Sequence, residues 1–257
     1  MCTDLTCADT KDHAAGGPPP AQTQALFAAV APTYDLLNDL LSLGLHRRWR
    51  RRAAELAMLG PGGRALDVCA GTGDFARVLA EIVGPSGTVV GVDFCEPMLR
   101  LGLRKLLLPR RGNRSRACTP LLVLGDALSL PFPDATFDAA TVAFGMRNVH
   151  NLHKAFSEMA RVVKPGGRVV CLELARPHNR LLSVPYYVYF RKLLPRIGQL
   201  VHGRLENYAY LPQSLARFPD RAQLAQIMRE TGLQDIQVLD LTGGIVAVHC
   251  GVVEAPS

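Results

Sequence analysis

The chain has 257 residues, of which 48% are hydrophobic and 20% charged, a balance typical of one sizeable globular domain with its own core. No apolar run reaches the roughly 18 residues that a membrane-spanning helix needs. The N-terminus carries Asp4 and Asp9 and lacks the apolar stretch of a secretory signal. Seven cysteines are scattered without a C-x-x-C pair, which favours reduced thiols in a cytoplasmic protein and predicts no metal site.

The formal net charge of +7 is concentrated in two basic clusters. The first is a run of arginines at Arg47, Arg48, Arg50, Arg51 and Arg52. The second comprises Arg104, Lys105, Arg110, Arg111, Arg114 and Arg116. Two solvated faces are the plainer interpretation, and attraction to an anionic membrane, at about 1 kcal/mol per cation, is the alternative. A nucleic-acid partner is disfavoured because no aromatic residues lie among the second cluster.

In chain order, residues 1–22 are polar with a GGPPP run and predict a disordered tail, and residues 23–257 are predicted to form one domain. Residues 23–60 have helical periodicity broken near Pro32 and Gly44, which predicts a helical N-terminal lid. Within it Tyr34 and Asn38, and likewise Asp35 and Asp39, fall on adjacent helical turns. Several of these side chains can therefore face one pocket.

Strands and helices then alternate. Strands are predicted at 65–69, 88–93, 121–124, 137–143 and 168–174, with helices at 74–82, 97–107 and 152–163 and a basic loop at 109–119. This alternation predicts an α/β fold with a doubly wound, mostly parallel sheet. In such sheets ligands bind beyond the C-terminal ends of the strands.

The last part of the chain begins with an aromatic helical segment at 181–201, inside a region, 181–215, that is predicted to form helices covering the substrate. A further helix is predicted at 221–231. Two strands follow within residues 235–253, joined near Gly243. That connection is too short for a crossover, so the two strands are predicted to be antiparallel.

The turn after the first strand contains Gly71 and Gly73, which let the backbone turn tightly and let a ligand approach it closely. The helix behind it directs backbone N–H groups at the turn. Asp93 ends the second strand about 20 residues later, at the spacing where a carboxylate reaches a ribose hydroxyl. Residues 71–76 also match G-x-G-x-x-A, so an NAD(P)-dependent oxidoreductase is an alternative at this point.

Two further acidic residues help to decide which kind of cofactor this turn would bind. Asp67 stands four residues before Gly71, and Asp126 follows the third strand, where it is suited to receive an adenine amino group. The set Asp67, Gly71, Gly73, Asp93 and Asp126 resembles the class I S-adenosylmethionine-dependent methyltransferases. The resemblance implies a seven-stranded, Rossmann-like sheet with an antiparallel C-terminal strand and no metal.

Longer motifs resemble the ubiquinone/menaquinone biosynthesis C-methyltransferase family. They lie at residues 34–49, 144–149, 161–173, 194–198, 208–214 and 243–249, and the likeness covers roughly residues 24 to 252. The cofactor contacts of that family fall on Thr72, Asp93, Asp126 and Ala127. A further contact, often serine, falls on Ala143, where a methyl group loses about 1 kcal/mol of possible hydrogen bonding.

This resemblance implies methyl transfer from S-adenosylmethionine to a ring carbon of a prenylated quinol. Demethylmenaquinol is the favoured acceptor, and a benzoquinol of ubiquinone synthesis, or both, is the alternative. The reduced quinol is expected because a quinone ring is too electron-poor to attack a methyl group. A cytoplasmic enzyme at the inner face of the membrane, in peripheral contact with anionic lipid, is expected, and a homodimer is compatible with the sequence.

Arg147 and Asn148 follow the fourth strand and are the main candidates for catalysis, with Tyr34 and His46 of the lid as secondary candidates. Arginine is no ordinary base at pH 7, so Arg147 would stabilise a phenolate or orient a water, and the structural alternative is an ion pair. A nucleic-acid methyltransferase is disfavoured, since residues 144–147 read FGMR where an Asn-Pro-Pro-Tyr segment would be needed. A relative that only binds the cofactor is the remaining alternative.

Overall fold

The computed structural model describes residues 20–107, 117–177 and 213–255. Its first three helices are α1 (Pro20–Val30), α2 (Tyr34–Ser42) and α3 (Leu45–Leu56). They cover the segment predicted to be a lid, and we call them the N-terminal lid. A 3-10 turn, Ala31–Thr33, separates α1 from α2, and Leu43 and Gly44 end α2 with left-handed backbone. These breaks confirm the ones predicted from the proline and the glycine. However, α1 begins at Pro20, so residues 20–22 belong to the helix and not to the predicted tail, because proline suits a first helical turn.

Seven strands form one sheet. They are β1 (Arg64–Val68), β2 (Thr88–Asp93), β3 (Leu121–Leu124), β4 (Phe137–Ala143), β5 (Val163–Leu174), β6 (Leu233–Leu241) and β7 (Val246–Val253). Their spatial order is β3-β2-β1-β4-β5-β7-β6. The first five strands are parallel, and β7 is antiparallel to both β5 and β6. The predicted α/β sheet with an antiparallel C-terminal strand is confirmed, and its strand order reverses between β1 and β4, where such folds bind ligands.

The other long helices are α4 (Asp74–Val83), α5 (Glu96–Leu107), α6 (Leu152–Val162) and α7 (Arg221–Glu230). Side chains cap two of them. Asn151 accepts a hydrogen bond from the backbone N–H of Lys154 at the start of α6. Asp220 and Gln223 form a reciprocal capping box at the start of α7. The N-cap position of α4 is instead occupied by Gly73, which has a left-handed φ of 77° in the tight turn after β1.

The core lies on both faces of the sheet. Leu66 and Val68 of β1 pack with Phe156 of α6 on one face. Ala65, which directly precedes Leu66 in the strand, packs on the other face with Leu79 of α4 and the lid helix α3. Burial on both faces explains why the parallel strands read as continuous apolar runs.

β5 differs from its prediction. It begins at Val163, and not at Arg168, because residues 164–167 continue the strand as an irregularity and not as a separate turn. The register with β4 shifts between Phe137 and Ala139, and Gly166 has a φ of 77°. A bulge of this kind inserts residues without ending the strand.

Several predictions fall on residues that the structure does not describe. These are the tail at 1–19, the basic loop at 109–116, the aromatic helical segment at 181–201 and the rest of the covering region up to 212. Among the described residues, no helix is both long enough and apolar enough to cross a membrane. The five cysteines in the described ranges are free thiols.

Candidate active site

A cleft of about 760 Å³, including its open mouth, lies at the C-terminal ends of β1 to β4. Its walls come from the segments that follow these four strands, and its roof comes from Phe27 and Tyr34 of the N-terminal lid. Five distant parts of the sequence therefore meet at the point where the strand order reverses. The arrangement has the form expected for a small-molecule site of a doubly wound sheet.

The turn after β1 forms one wall of the cleft. The backbone N–H of Gly71 donates a 2.8 Å hydrogen bond to Oδ2 of Asp93, and the N–H of Ala70 bonds to the carbonyl of Val92. Gly71 has a φ of 56°, and a Cβ there would lie 3.3 Å from Cε of Met98. Glycine thus allows this turn to be left-handed and closely packed at once.

Asp93 lies at the end of β2 and contributes its carboxylate to the cleft wall. Its Oδ1 accepts from the backbone N–H of Cys95, as Oδ2 does from Gly71. Burial raises the pKa of Asp93, and these backbone donors oppose the rise. Since a carboxylate has about four lone-pair sites, the fixed group still has acceptor capacity for hydroxyls of a ligand.

The segment after β3 also lines the cleft, next to the end of β2. Asp126 is exposed, lines the cleft and accepts a 2.9 Å hydrogen bond from the backbone N–H of Leu128. Ala127 is buried beside it, and its small side chain would leave room for a flat ring. A ring amino group near Asp126 and ribose hydroxyls near Asp93 would fit this donor and acceptor set, so the residues present suit S-adenosylmethionine.

Three of the predicted cofactor residues lie behind this wall. Asp67 is buried between the sheet and α4, where it accepts from the backbone N–H of Ala76 at 2.9 Å, and burial raises its pKa to about 7. Thr72 donates to Asp35 of the lid, and Gly73 is the residue directly before α4. These residues shape the turn from behind, and direct contact with a cofactor stays a prediction for them.

Arg147 forms a buried ion pair with Glu173. Its Nε donates to Oε1 of Glu173 at 2.6 Å, and its backbone N–H donates to Oε2 at 3.3 Å. The Nη2 group bonds to the carbonyl of Phe144, while Nη1 is buried and meets no hydrogen-bond partner within the described ranges. Burial raises the pKa of Glu173, against the influence of Arg147. The ion pair expected as the structural alternative for Arg147 is thus present, and a catalytic role for Arg147 stays a prediction.

The segment after β4 reaches the cleft through Ala143 and Asn148. Between them, Phe144 adopts a left-handed φ of 61°, which residues with bulky side chains rarely take. A Cβ on Gly145 would overlap the Cβ of Cys69, so glycine alone lets the turns after β1 and β4 approach each other. Of the two main catalytic candidates, Asn148 is the one that lines the cleft.

The two lid candidates occupy different places. Tyr34 lines the cleft and meets Phe27 edge to face, with ring centroids 6.3 Å apart, and burial raises its pKa. His46 lies away from the cleft and is buried between α2 and α3. Its Nε2 lies 2.8 Å from Oδ1 of Asp39, and the guanidinium of Arg50 contacts its Nδ1. Burial lowers the pKa of His46, which favours the neutral ring that braces these helices.

A polar cluster, the lid latch, fastens the N-terminal lid to the turn after β1. It consists of Asp35 on α2, Thr72 in the turn, Asp74 on α4 and Lys105 on α5. Asp35 accepts from Thr72 and from Lys105, both at 2.7 Å, and Lys105 also pairs with Asp74. The latch holds α2 over the cleft through residues that are far apart in sequence.

Sequence reasoning missed most of the apolar lining, including Phe27, Phe94, Met98 and Phe144. Phe94 follows Asp93 directly, and Met98 lies one turn later, so their place at a strand end could have indicated them. For Phe27 there is no such signal, because its position depends on how α1 crosses the strand ends.

Comparison with known proteins matches residues 19–253 to the ubiE/COQ5 methyltransferase family. A ubiquinone/menaquinone biosynthesis C-methyltransferase UbiE from Pseudomonas paraeruginosa is 44% identical over 227 residues, which cover 88% of this chain and 87% of that protein. A demethylmenaquinone methyltransferase from Shouchella clausii is 38% identical over 227 residues, covering 88% of this chain and 94% of the relative.

Solved structures support the fold. A Thermotoga maritima S-adenosylmethionine-dependent methyltransferase, described as a possible histamine N-methyltransferase, has a TM-score of 0.60 at 20% identity and covers 90% of this chain and 99% of its own. The [4+2]-cyclase SpnF has a TM-score of 0.67 at 17% identity, covering 96% and 100%. Since one of these is described as a cyclase, the fold alone does not fix the reaction.

The predicted methyltransferase class and its S-adenosylmethionine cofactor are confirmed by the family match, which extends across nearly all of the predicted domain. The relative at 44% identity covers most of the same residues. This chain therefore belongs to the ubiE/COQ5 methyltransferase family.

Proposed function

We propose that this chain transfers a methyl group from S-adenosylmethionine to a ring carbon of a prenylated quinol, with demethylmenaquinol as the preferred acceptor. The observation that carries the proposal is the cleft of this chain, which has Asp93 and Asp126 on one side and Asn148 on the other. The family match of the chain gives this cleft its chemical meaning. The names of the relatives from Pseudomonas and Shouchella both include menaquinone chemistry. A benzoquinol is the second candidate, because the former name also includes ubiquinone.

The cofactor end of the cleft is formed by carboxylates and close-packed backbone. Asp93 would hold ribose hydroxyls, and Asp126 with Ala127 would hold the adenine. The open backbone at Gly71 leaves room for the amino-acid part. When bound, S-adenosylmethionine supplies an electrophilic methyl group on a sulfonium. Ala143 offers no side-chain hydrogen bond and contributes shape alone.

The acceptor end must favour a quinol with phenolate character. The amide of Asn148 can orient a quinol oxygen, since it has both donor and acceptor groups. Arg147 lies one residue away, but Glu173 neutralises most of its charge at close range. Nη1 is buried and Arg147 does not line the cleft. Arg147 would therefore act by holding the turn that presents Asn148, through its bond to the carbonyl of Phe144, and a water would remove the ring proton.

The N-terminal lid would exclude water from the reaction. Phe27 and Tyr34 cover the cleft, and the lid latch holds α2 above the turn after β1. The remaining lining is mostly apolar, with Phe94, Met98 and Leu128 among it. An apolar, covered cleft suits a prenylated ring and keeps competing water away from the methyl group.

The location of the protein follows from its acceptor. A prenylated quinol resides in the bilayer, so we place the chain at the cytoplasmic face of the membrane, in peripheral contact with anionic lipid. The homodimer is a further prediction, tested by the mass of the purified protein in solution.

The direct test is transfer of labelled methyl from S-adenosylmethionine to demethylmenaquinol in detergent micelles, with dithionite present and absent. A matched benzoquinol acceptor at the same concentration is the comparison. We expect methylated product only under reduction, and more with the naphthoquinol. Failure of both acceptors, while S-adenosylmethionine still binds, would overturn the proposal in favour of a relative that only binds the cofactor.

A further inference from the structure

The outer side of α2 carries a stripe of exposed leucines. Leu36, Leu40 and Leu43 are 54%, 41% and 85% exposed. Leu36 and Leu40 lie one turn apart on α2, and Leu43 follows the last residue of the helix as its C-terminal cap. We call them the leucine face. Single exposed leucines are normal on protein surfaces, but a set on a short helix and its cap is a candidate contact surface.

Leu43 is unusual in its conformation as well as in its exposure. It ends α2 in the left-handed region, with φ of 50°. Glycine or asparagine normally occupies this position, because other side chains are strained there. A leucine that is both strained and 85% exposed is unfavourable in water on two counts. Burial of its side chain in an apolar phase would remove one of them.

A basic rim borders the leucine face. The arginine rim consists of the exposed residues Arg47, Arg48, Arg51 and Arg52 on α3. Arg47 pairs with Asp39, which sits on α2 beside the leucines, so rim and face are joined directly. Arg52 pairs with Glu55. Arg48 and Arg51 form no ion pair in the part of the chain that the structure describes, which leaves their charge for a partner.

The leucine face and the cleft lie on opposite sides of the same helix. Tyr34, in the first turn of α2, lines the cleft, and Leu37 is buried on the inner side. Leu36 lies between them in sequence and points outward. A surface that covers the leucines would therefore lie next to the helix that roofs the site.

We propose that the leucine face and the arginine rim dock α2 and the start of α3 onto an anionic lipid bilayer. The leucines would enter the apolar boundary, while the arginines meet lipid phosphates, as interfacial amphipathic helices do. This docking rests on the proposed function, since it brings the lid to the surface from which a prenylated quinol enters. An acidic protein surface is the competing partner, and the leucine content favours lipid.

The test uses the full chain and sedimentation with vesicles of phosphatidylglycerol and phosphatidylcholine, or of phosphatidylcholine alone. The leucine variant is Leu36→Gln/Leu40→Gln/Leu43→Asn, in which asparagine suits the left-handed position. The charge variant is Arg48→Glu/Arg51→Glu. Leu103→Gln/Leu107→Gln is the matched control, because these leucines are also exposed on one side of a helix, α5.

We expect the leucine variant to bind mixed vesicles at least about tenfold more weakly than the wild type, since several leucines lose their apolar burial. The charge variant should lose a similar factor in affinity for the mixed vesicles. It should then bind the mixed vesicles no more tightly than vesicles of phosphatidylcholine alone. The control should bind like the wild type. All variants should methylate a short-tailed quinol in detergent at the wild-type rate.

Unchanged vesicle binding by the leucine variant, or an equal loss in the control, would overturn the docking proposal. A leucine variant that loses thermal stability and activity in detergent would show that this face packs against protein, which also overturns it. The charge variant then gives an independent check, because exposed arginines do not support the core. Absence of methyl transfer by the wild type in detergent would instead contradict the proposed function, whatever the vesicles show.

Discussion

At the residue scale, two buried aspartates at the end of the sheet have different surroundings. Asp93 reaches the cleft and has two backbone donors on its carboxylate. Asp67 stays behind the wall, and its pKa is raised to about 7 by burial, so it is partly protonated near neutral pH. The first is suited to bind a ligand, and the second to brace the start of α4.

We expect Asp93→Ala to weaken binding of S-adenosylhomocysteine by about 10- to 100-fold, because a charged acceptor contributes about 1.5–3 kcal/mol. Titration calorimetry measures the affinity. Asp138→Ala is the control, since Asp138 pairs with Lys164 near the opposite end of β4. Equal affinity of the Asp93 variant and the wild type would remove Asp93 from the cofactor site.

The Arg147–Glu173 pair allows its structural and functional roles to be separated. Glu173→Leu leaves a buried arginine unpaired and should lower the free energy of unfolding by about 3–5 kcal/mol. The double variant Arg147→Met/Glu173→Leu should regain most of this stability, because well-packed apolar residues replace buried pairs at little cost.

If Arg147 acts on the acceptor, kcat of this stable double variant should still fall by at least about 100-fold. Urea unfolding and methyl-transfer kinetics are measured on the same preparations. A stable double variant with the kcat of the wild type would assign the pair to structure alone.

At the element scale, the lid latch connects the N-terminal lid with the turn after β1, which we propose to hold the cofactor. We expect Asp35→Asn to weaken cofactor binding by about 3- to 10-fold and to speed hydrogen exchange in α1 and α2, since one charged hydrogen bond to Lys105 is lost. Glu96→Gln is the control, because it removes an exposed ion pair with Arg100 on α5, the helix that also carries Lys105. Unchanged exchange in the lid would show that the latch does not hold it.

An ion pair on α6 makes the stability of the fold depend on pH. Arg161 binds Glu158 on α6 and the carbonyls of Leu130 and Phe132 in the loop after β3. Its guanidinium lowers the pKa of Glu158 from 4.5 to about 2, helped by the N–H of Leu130. Because the folded state lowers this pKa, the stabilisation is complete above pH 4.5 and disappears as the pH falls towards 2.

We therefore expect Glu158→Gln to lower the free energy of unfolding by about 1–3 kcal/mol at pH ~7 and by much less at pH ~3. Urea unfolding at the two pH values measures the difference. Glu230→Gln, which removes an exposed partner of His153, should have no measurable effect at either pH. A loss for Glu158→Gln that is equal at both pH values would contradict the assigned cause.

The elements themselves were predictable to different degrees. The strands β1 to β4 match their predictions within about one residue, because strands buried on both faces are apolar runs bounded by glycine and polar turns. The start of β5 was wrong, since Pro165 and Gly166 normally end a strand and here form a bulge. The lid latch was not predictable: Asp35 and Lys105 are 70 residues apart, and their contact depends on the packing of whole helices.

At the scale of the whole molecule, the site is a consequence of strand order. The reversal between β1 and β4 leaves a space at the strand ends, and Phe27 and Tyr34 of the N-terminal lid line one side of it. Placement of Asp93, Asp126, Ala127 and Ala143 could be predicted, because the C-terminal ends of parallel strands share one edge. The direction of the Thr72 side chain could not, since it depends on the left-handed turn beside it.

The central claim is that the methyl group goes to a ring carbon of the quinol. The most direct measurement uses S-adenosylmethionine with a deuterated methyl group and reduced demethylmenaquinol, followed by mass spectrometry before and after exposure to air. We expect a labelled product that air oxidises to the methylated quinone, because carbon methylation leaves both ring hydroxyls free. A labelled product that resists oxidation would be an oxygen ether, and it would contradict the account.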